Sequence, residues 1–210
     1  MCPAARTVRV PATGSTIPER APQAKAFLRV IPDCLNGADL TRNITRAEFA
    51  AVCVKAYEAL TGTKAEPIAV NPFTDTSDPE VLKAYNVGIT NGTTATTFDP
   101  DAKLTREQAA TLLTRVYKKT VFSGWTLATD KDFDGQFLAM FTRPAPFADD
   151  GEISGYAKDS VYFMAANGII NGMGDNKFVP RATSSAEDAV GYAKRDQAIV
   201  IATRMVKNLG

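Results

Sequence analysis

The sequence predicts a mainly α-helical protein, made of three tandem helix-turn-helix repeats whose last helices pack into one bundle. Two observations indicate this fold class. One ordered set of short motifs occurs twice in the 210-residue chain, with a partial third copy before them. Each copy also ends in a helix with the same apolar spacing, and a helix with one apolar stripe needs partners that bury it.

The two complete copies are repeat two (residues 71–119) and repeat three (residues 147–209). Both have the order F-x-D, a helical stretch, G-I-x-N-G, F-x-P and a closing helix that opens with arginine. Repeat two contributes Phe73, Asp75, Gly88, Ile89, Gly92, Phe98, Pro100 and Arg106. Repeat three contributes Phe147, Asp149, Gly168, Ile169, Gly172, Phe178, Pro180 and Arg195. Repeat one (residues 17–62) is divergent and keeps mainly its closing helix, in which Arg46 corresponds to Arg106.

The closing helices carry apolar residues at positions i, i+3, i+4, i+7 and i+8, which form one stripe of an amphipathic helix. The stripes are Phe49, Val52, Cys53, Ala56 and Tyr57; Ala109, Leu112, Leu113, Val116 and Tyr117; and Ala198, Ile201, Ala202, Met205 and Val206. None of these helices can bury its stripe alone, so we expect the three to pack on one another.

The sequence also indicates where the closing helices begin. Thr45 with Glu48, and Thr105 with Gln108, fit the capping box, in which a hydroxyl accepts a hydrogen bond from a free helix N–H. Repeat three has Lys194 at that position, so its cap is lost or supplied by another residue. The glycines around I-x-N fit a helix C-cap followed by a tight turn.

Three segments fall outside the repeat pattern. Residues 1–16 form an N-terminal extension. Residues 120–146 are a linker that we expect to be a small hairpin or an irregular segment packed on the bundle. Residues 181–193 are an insertion in repeat three, expected to be a surface loop or a short helical turn.

Composition excludes several classes of function. Lys and Arg number 24 against 23 Asp and Glu, a balance that argues against nucleic-acid binding by phosphate attraction. The chain has no histidine, which excludes histidine-based catalysis and metal ligation. Its three cysteines show no C-x-x-C spacing, so neither a zinc site nor a redox motif is indicated. No metal or other cofactor is expected.

No apolar run has the length of a membrane span. The N-terminus also lacks the apolar stretch of a secretory signal. For a protein that acts outside the cell, this would mean a fragment, a misassigned start or a chain without its leader.

The set F-x-D, G-I-x-x-G, F-x-P and T-R-x-E resembles the pattern of the S-layer homology family, most clearly in Thr45–Glu48 and Thr105–Gln108. The resemblance covers about residues 17–209, apart from the linker. It implies three repeats with pseudo-threefold symmetry around a central three-helix bundle, and grooves between repeats that bind a cell-wall polymer, often carrying pyruvylated amino sugars. It also implies the glycan-binding residues Arg46, Arg106, Arg195, Asp75, Asp149, Gly88, Gly92, Gly168 and Gly172.

This sequence departs from the family pattern in several places. The aromatic residue of the family's first helix has no clear counterpart in repeat two, and Tyr156 is the candidate in repeat three. Repeat one lacks F-x-D and has a residue such as Arg29 in place of glycine. Because repeat three reads K-R-D-Q at the tetrapeptide, we expect one or two competent grooves rather than three.

The arginines invite two interpretations. An arginine in the first helical turn faces the positive end of the helix dipole, at a cost of about 0.3–1 kcal/mol. Beside unpaired backbone N–H groups it would make a carboxylate or phosphate site. The alternative is a salt bridge from each arginine to an acidic residue of a neighbouring repeat. For Asp75 and Asp149 the alternative role is capping of the following helix, and for the glycines it is conformational.

Two other features have competing interpretations. Asp130, Asp132, Asp134 and Gly135 read D-x-D-x-D-G, the start of a calcium loop, but position twelve is Phe141, so a solvated turn is favoured over a weak calcium site. Trp125 and Phe122 are expected to pack on the bundle rather than to form a sugar-stacking platform.

The sequence therefore predicts a non-catalytic module that binds cell-wall polysaccharide. We expect it to act outside the cell, at the cell wall or S-layer, attached to or associated with another surface protein. The alternatives are a protein–protein assembly module without glycan binding and a calcium-dependent adhesion module.

Overall fold

The computed structural model describes residues 29–182 and 188–210. In that part of the chain the α-helices are α1 (Arg46–Thr61), α2 (Pro79–Val87), α3 (Arg106–Val121), α4 (Asp134–Leu138), α5 (Lys158–Ala166), α6 (Asp188–Gly191) and α7 (Arg195–Leu209). Short 3-10 helices lie at Asp33–Leu35, Leu127–Phe133, Asp150–Glu152 and Gly174–Asn176. The predicted extension (1–16), the start of repeat one (17–28) and residues 183–187 of the insertion lie outside the described residues.

The closing helices α1, α3 and α7 pack on one another, which confirms the mainly helical fold class. Every residue of the stripes predicted for α3 and α7 is buried. In α1, Phe49, Val52, Cys53 and Ala56 are buried, and Tyr57 is partly buried against the same core. The apolar periodicity of the sequence therefore identified the centre of the molecule.

A ring of three backbone hydrogen bonds joins the segments that lead into the closing helices. Ile44 N donates to Ala193 O at 2.9 Å, Ala193 N donates to Leu104 O at 2.9 Å, and Leu104 N donates to Ile44 O at 3.2 Å. All three residues are buried, and each lies two positions before the arginine that opens its helix. The ring gives the bundle an approximate threefold axis at this end.

The opening helices connect neighbouring repeats. Helix α2 packs against α1, and α5 packs against α3, so each opening helix contacts the closing helix of the preceding repeat. The α1–α2 contact has its own small core, formed by Ala50, Val54, Ala65, Phe73, Val81, Ala84 and Phe98. Because the repeats share these contacts, the residues between them are held in fixed positions.

The predicted capping boxes are present at α1 and α3. Thr45 Oγ1 accepts from Glu48 N at 3.3 Å, and Glu48 Oε2 accepts from Thr45 N at 3.1 Å. Thr105 and Gln108 make the same pair of contacts. At α7 one of the two capping-box hydrogen bonds is present: Gln197 Oε1 accepts from Lys194 N at 3.2 Å. The Lys194 side chain cannot accept the other, because its ammonium group has no free lone pair.

The linker packs on the bundle as expected, but the hairpin alternative is wrong. Residues 127–138 form a 3-10 helix followed by α4. Phe133 and Phe137 are four residues apart and so lie on one helical face. Phe133 packs on Phe122, and Phe137 on Phe163, with ring centroids 5.2 and 4.9 Å apart. These two aromatic contacts hold the helical segment on the bundle.

Candidate functional site

Two cavities lie at equivalent places beside closing helices. Groove A, beside α3, has a volume of about 370 Å³. Its lining residues are Arg46, Thr90, Asn91, Gly92, Gln108, Thr111, Leu112, Arg115 and Tyr156. Groove B, beside α7, has a volume of about 300 Å³. Its lining residues are Arg106, Ile170, Asn171, Asp196, Gln197, Val200, Ile201 and Arg204.

The two grooves have the same construction. Each is lined by the tetrapeptide arginine of one repeat, and by the G-I-x-N-G turn and the closing helix of the next repeat. Arg46 thus corresponds to Arg106, Asn91 to Asn171, Gln108 to Gln197 and Arg115 to Arg204. The grooves therefore lie between repeats, as the resemblance implies.

The tetrapeptide arginines are held by the neighbouring repeat. Arg46 Nε donates to Phe98 O at 3.0 Å, and its guanidinium lies 4.8 Å from the centre of the Phe98 ring. Arg106 Nε donates to Phe178 O at 3.0 Å, with its guanidinium 5.1 Å from the Phe178 ring centre. These contacts with the F-x-P motif fix both guanidinium groups at the groove wall.

The sequence prediction missed a second arginine in each groove. Arg115 lies close to Ile89 O, with Nη1 at 3.5 Å, and Arg204 Nη1 lies 3.3 Å from Ile169 O. Both follow the tetrapeptide arginine of their own helix by nine residues, within a shared Thr-Arg pair. An alignment of the closing helices shows this recurrence. The Thr-Arg pair lies at the edge of the helical face that carries the predicted apolar stripe.

The grooves are electropositive. Burial lowers the pKa of Arg46, Arg106 and Arg115, and the charge of Arg46 lowers the pKa of Arg115 further. The ion pairs between residues that the structure describes include none of these arginines, nor Arg204. No acidic residue lines groove A, and one, Asp196, lines groove B. The nearest carboxylates, such as Asp75 for Arg46 and Asp149 for Arg106, act on these guanidinium groups without forming an ion pair, and guanidinium groups free of direct ion pairs favour binding of an anion.

Arg195 differs from the other two tetrapeptide arginines. It forms an ion pair with Glu48, with Nε donating to Oε2 at 3.0 Å and Nη2 donating to Oε1. Its Nη1 donates to Asp39 O at 3.0 Å. The salt-bridge alternative is therefore correct for Arg195, whereas Arg46 and Arg106 contact carbonyl groups and aromatic rings.

The expectation of unpaired backbone N–H groups beside these arginines is wrong at α1 and α7. At α1, Arg46 N donates to Ala102 O and Ala47 N donates to Pro100 O, at 2.9 and 3.0 Å. At α7, Arg195 N and Asp196 N donate to carbonyl groups of repeat one. Segments of neighbouring repeats supply these acceptors, so the backbone N–H groups at these two helix starts are engaged within the protein.

Asp75 and Asp149 do not cap the following helices. Asp75 accepts from Phe98 N and Asp99 N, at 2.9 and 2.7 Å, and Asp149 accepts from Phe178 N and Val179 N, both at 2.7 Å. These hydrogen bonds lower the pKa of Asp75. Each carboxylate therefore holds the F-x-P segment whose carbonyl anchors the groove arginine.

The four glycines serve two different turns. Gly88 and Gly168 have φ of 86° and 64° at the ends of α2 and α5, a region that favours glycine. A Cβ on Gly92 would lie 2.4 Å from Thr94 O, and one on Gly172 would lie 2.9 Å from Phe147 Cε1. The conformational interpretation therefore accounts for all four, and of these Gly92 also lines groove A.

The aromatic candidates lie in different environments. Tyr156 is 61% exposed and lines groove A, at the side contributed by repeat three. Trp125 is fully buried and donates to Asp130 Oδ1 at 2.7 Å, so it is not a sugar-stacking platform. Lys118 Nζ also donates to Asp130 Oδ1, at 2.7 Å. The D-x-D-x-D-G motif is thus part of a helical segment with an engaged first carboxylate, and the described residues contain no metal-binding cluster of acidic or cysteine side chains.

The fold and grooves define a repeat-based binding module, and comparison with known proteins identifies its family. Residues 71–110 and 146–183 match the family model of the S-layer homology domain. Both segments are S-layer homology segments by this match, which confirms the resemblance that their motifs indicate. The S-layer homology domain is a binding domain of cell-surface proteins, known for cell-wall anchoring, and it is not catalytic. The assignment of residues 17–62 as a first, divergent repeat remains a prediction.

Curated relatives include an endoglucanase of Bacillus sp. (strain KSM-635), 25% identical over 71% of this chain and 14% of the relative. Cell surface glycoprotein 1 of Acetivibrio thermocellus is 26% identical over 87% of this chain and 7% of its own length. An amylopullulanase of Thermoanaerobacterium thermosulfurigenes is 33% identical over 37% of this chain and 4% of the relative. The chain thus spans a small part of each relative. No helix among the described residues is long and apolar enough to cross a membrane.

Proposed function

We propose that the chain anchors a protein to the bacterial cell wall by binding an anionic secondary cell-wall polymer in grooves A and B. The observation that carries this proposal is the pair of arginines in each groove without an acidic partner among the described residues. The attached or associated surface protein would then be held outside the cell, at the wall or S-layer.

The chemistry of the grooves fits a carboxylate on a sugar. A guanidinium group binds a carboxylate through two parallel hydrogen bonds, and a pyruvate ketal provides such a carboxylate. Volumes of about 370 and 300 Å³ are those of sites for small ligands, which suits one or two sugar residues of a longer polymer. In groove A the exposed Tyr156 ring supplies a surface on which a sugar ring packs.

The predicted site residues then divide into two roles. Arg46 and Arg106 contact the ligand, together with Arg115 and Arg204. Asp75, Asp149 and the glycines Gly88, Gly92, Gly168 and Gly172 shape the turns that position them, with Gly92 close enough for its backbone to face the ligand. Arg195 holds repeat three to repeat one through Glu48.

Sedimentation with isolated cell walls tests the proposal. The protein is mixed with walls before extraction of the wall polymer, after its extraction, and after removal of its pyruvyl groups. We expect co-sedimentation with intact walls and its loss after extraction; loss on pyruvyl removal alone identifies the ketal as the anion. Equal co-sedimentation with intact and extracted walls would contradict polymer binding.

A second candidate function is protein–protein assembly, favoured by one observation. Leu138, the last residue of α4, and Met140, just after that helix, are each 44% exposed. Exposed apolar side chains at neighbouring positions are typical of contact surfaces. Assembly predicts oligomers in sedimentation velocity without glycan, and Leu138→Ser with Met140→Ser would then restore the monomer.

A further inference from the structure

A basic depression lies at the end of the bundle where the closing helices begin. Its volume is about 520 Å³, and its charged lining residues are Arg42, Lys103, Lys194, Arg195 and Asp101. They come from the three segments that the backbone ring joins, so the depression surrounds the approximate threefold axis. Grooves A and B have different lining residues and lie beside the helices rather than at their common end.

The charges of this depression are unbalanced. Glu48 neutralises Arg195, and Asp101 is the acidic residue in the lining. Arg42, Lys103 and Lys194 add three positive charges, which Asp101 in the lining and Asp39 near Arg42 offset only in part. None of the three takes part in an ion pair between described residues. Positive side chains gathered in a concave surface repel one another and attract an anion.

Lys194 gives an independent indication. It occupies the helix-capping position that holds Thr45 in repeat one and Thr105 in repeat two. A lysine there loses the hydroxyl contact and adds a positive charge at the positive end of a helix, both of which disfavour folding. The backbone N–H groups of Arg195 and Asp196 already have carbonyl partners. The Lys194 side chain therefore makes no capping contact, but it extends the basic depression.

We propose that this depression, the apical site, is an anion-binding site separate from grooves A and B. It binds phosphate or carboxylate groups of a polyanionic chain through Arg42, Lys103 and Lys194. Binding at the apical site needs no ligand in the grooves, because the two sets of side chains are different.

Isothermal titration of the protein with inorganic polyphosphate, and separately with polygalacturonate, tests the apical site. We expect Lys194→Thr combined with Lys103→Gln to weaken binding of the preferred polymer about tenfold, as expected for loss of charge-assisted hydrogen bonds. The stronger of the two ligands shows whether phosphate or carboxylate is preferred. Lys194→Thr alone should raise the melting temperature, since it restores the cap, while it weakens binding; a purely structural role of Lys194 gives no change in affinity.

The matched control is Lys207→Thr, which removes the same charge from the other end of α7. The same titrations in the Arg46→Ala, Arg106→Ala background reduce the contribution of the grooves, and the binding that remains should still weaken about tenfold on adding Lys194→Thr and Lys103→Gln, so the two sites can fail separately. Unchanged affinity of the Lys194→Thr, Lys103→Gln variant would overturn the proposal. An equal loss in Lys207→Thr would also overturn it, because it would reflect net charge alone.

Discussion

The guanidinium of Arg195, at the start of α7, and the carboxylate of Glu48, at the start of α1, form an ion pair in which two nitrogens face two oxygens. Their side chains are only 15% and 16% exposed. In the equivalent positions of grooves A and B the glutamate is replaced by Gln108 and Gln197. A neutral amide forms no ion pair with the opposing arginine, so this one difference separates Arg195 from Arg46 and Arg106.

Loss of the Arg195–Glu48 pair should lower stability without affecting the grooves. We expect Arg195→Ala to reduce the free energy of unfolding by about 2 kcal/mol, because it leaves the Glu48 carboxylate partly buried without its partner. Urea denaturation measures this change. The control is Lys64→Ala, which breaks an ion pair with a 77% exposed lysine and should cost less than about 1 kcal/mol. A stable Arg195→Ala variant with reduced wall binding would instead make Arg195 a ligand-binding residue.

Asp75 should contribute to acid sensitivity. Hydrogen bonds from Phe98 N and Asp99 N place its pKa in the folded protein below the ordinary value of 3.8. The unfolded chain therefore takes up the proton first as the pH falls, and stability is lost from about pH 4 downward. Asp75→Asn should lower the melting temperature at neutral pH, and the melting temperature of this variant should fall less steeply in acid. The control is Asp132→Asn at an exposed position, which should keep the wild-type dependence of melting temperature on pH. A wild-type dependence in Asp75→Asn would contradict this account.

Gly92 should tolerate no side chain. Its Cβ would lie 2.4 Å from both Thr94 O and Thr97 O, and backbone atoms cannot yield as a flexible side chain does. We expect Gly92→Ala to cost about 1–3 kcal/mol in urea denaturation. Gly135 lies in α4 with nothing near its Cβ position, so Gly135→Ala should be neutral or stabilising by about 0.5–1 kcal/mol. Equal stability of the two variants would show that the turn at Gly92 relaxes.

Tyr156 should contribute to ligand binding through its ring. We expect Tyr156→Ala to weaken binding of purified wall polymer about fivefold, since an aromatic packing contact contributes about 1 kcal/mol. Tyr156→Phe keeps the ring and should retain most of the affinity. At 61% exposure, Tyr156 contributes little to the core, so both variants should melt as the wild type does. Equal affinity of the alanine variant would place the ligand away from repeat three's side of groove A.

Much of the fold was predictable from the sequence, because periodicity and caps are local properties. The stripes of α3 and α7 and the boxes at Thr45 and Thr105 depend on residues within two turns of one another. The linker was not resolved between its alternatives, since its helical form depends on where Phe137 meets the distant Phe163.

The site was less predictable, because its chemistry depends on contacts between repeats. The motif arginines were found, but their difference was not: Arg195 pairs with a glutamate 147 positions away. The sequence predicts Asp75 and Asp149 as glycan-binding residues, with capping of the following helix as the alternative, whereas in the structure they hold backbone 23 to 30 residues further on. Arg115 and Arg204 recur at the same position of their helices, but the sequence does not show that this position lines a groove.

The most direct test of groove binding is calorimetric titration of purified wall polymer into the Arg46→Ala, Arg106→Ala variant, which removes one arginine from each groove. Arg143→Ala, which removes a 48% exposed arginine elsewhere, is the control. With both variants shown to be folded by circular dichroism, we predict at least about tenfold weaker binding by the double variant and wild-type affinity for the control. Wild-type affinity of the double variant would contradict the account.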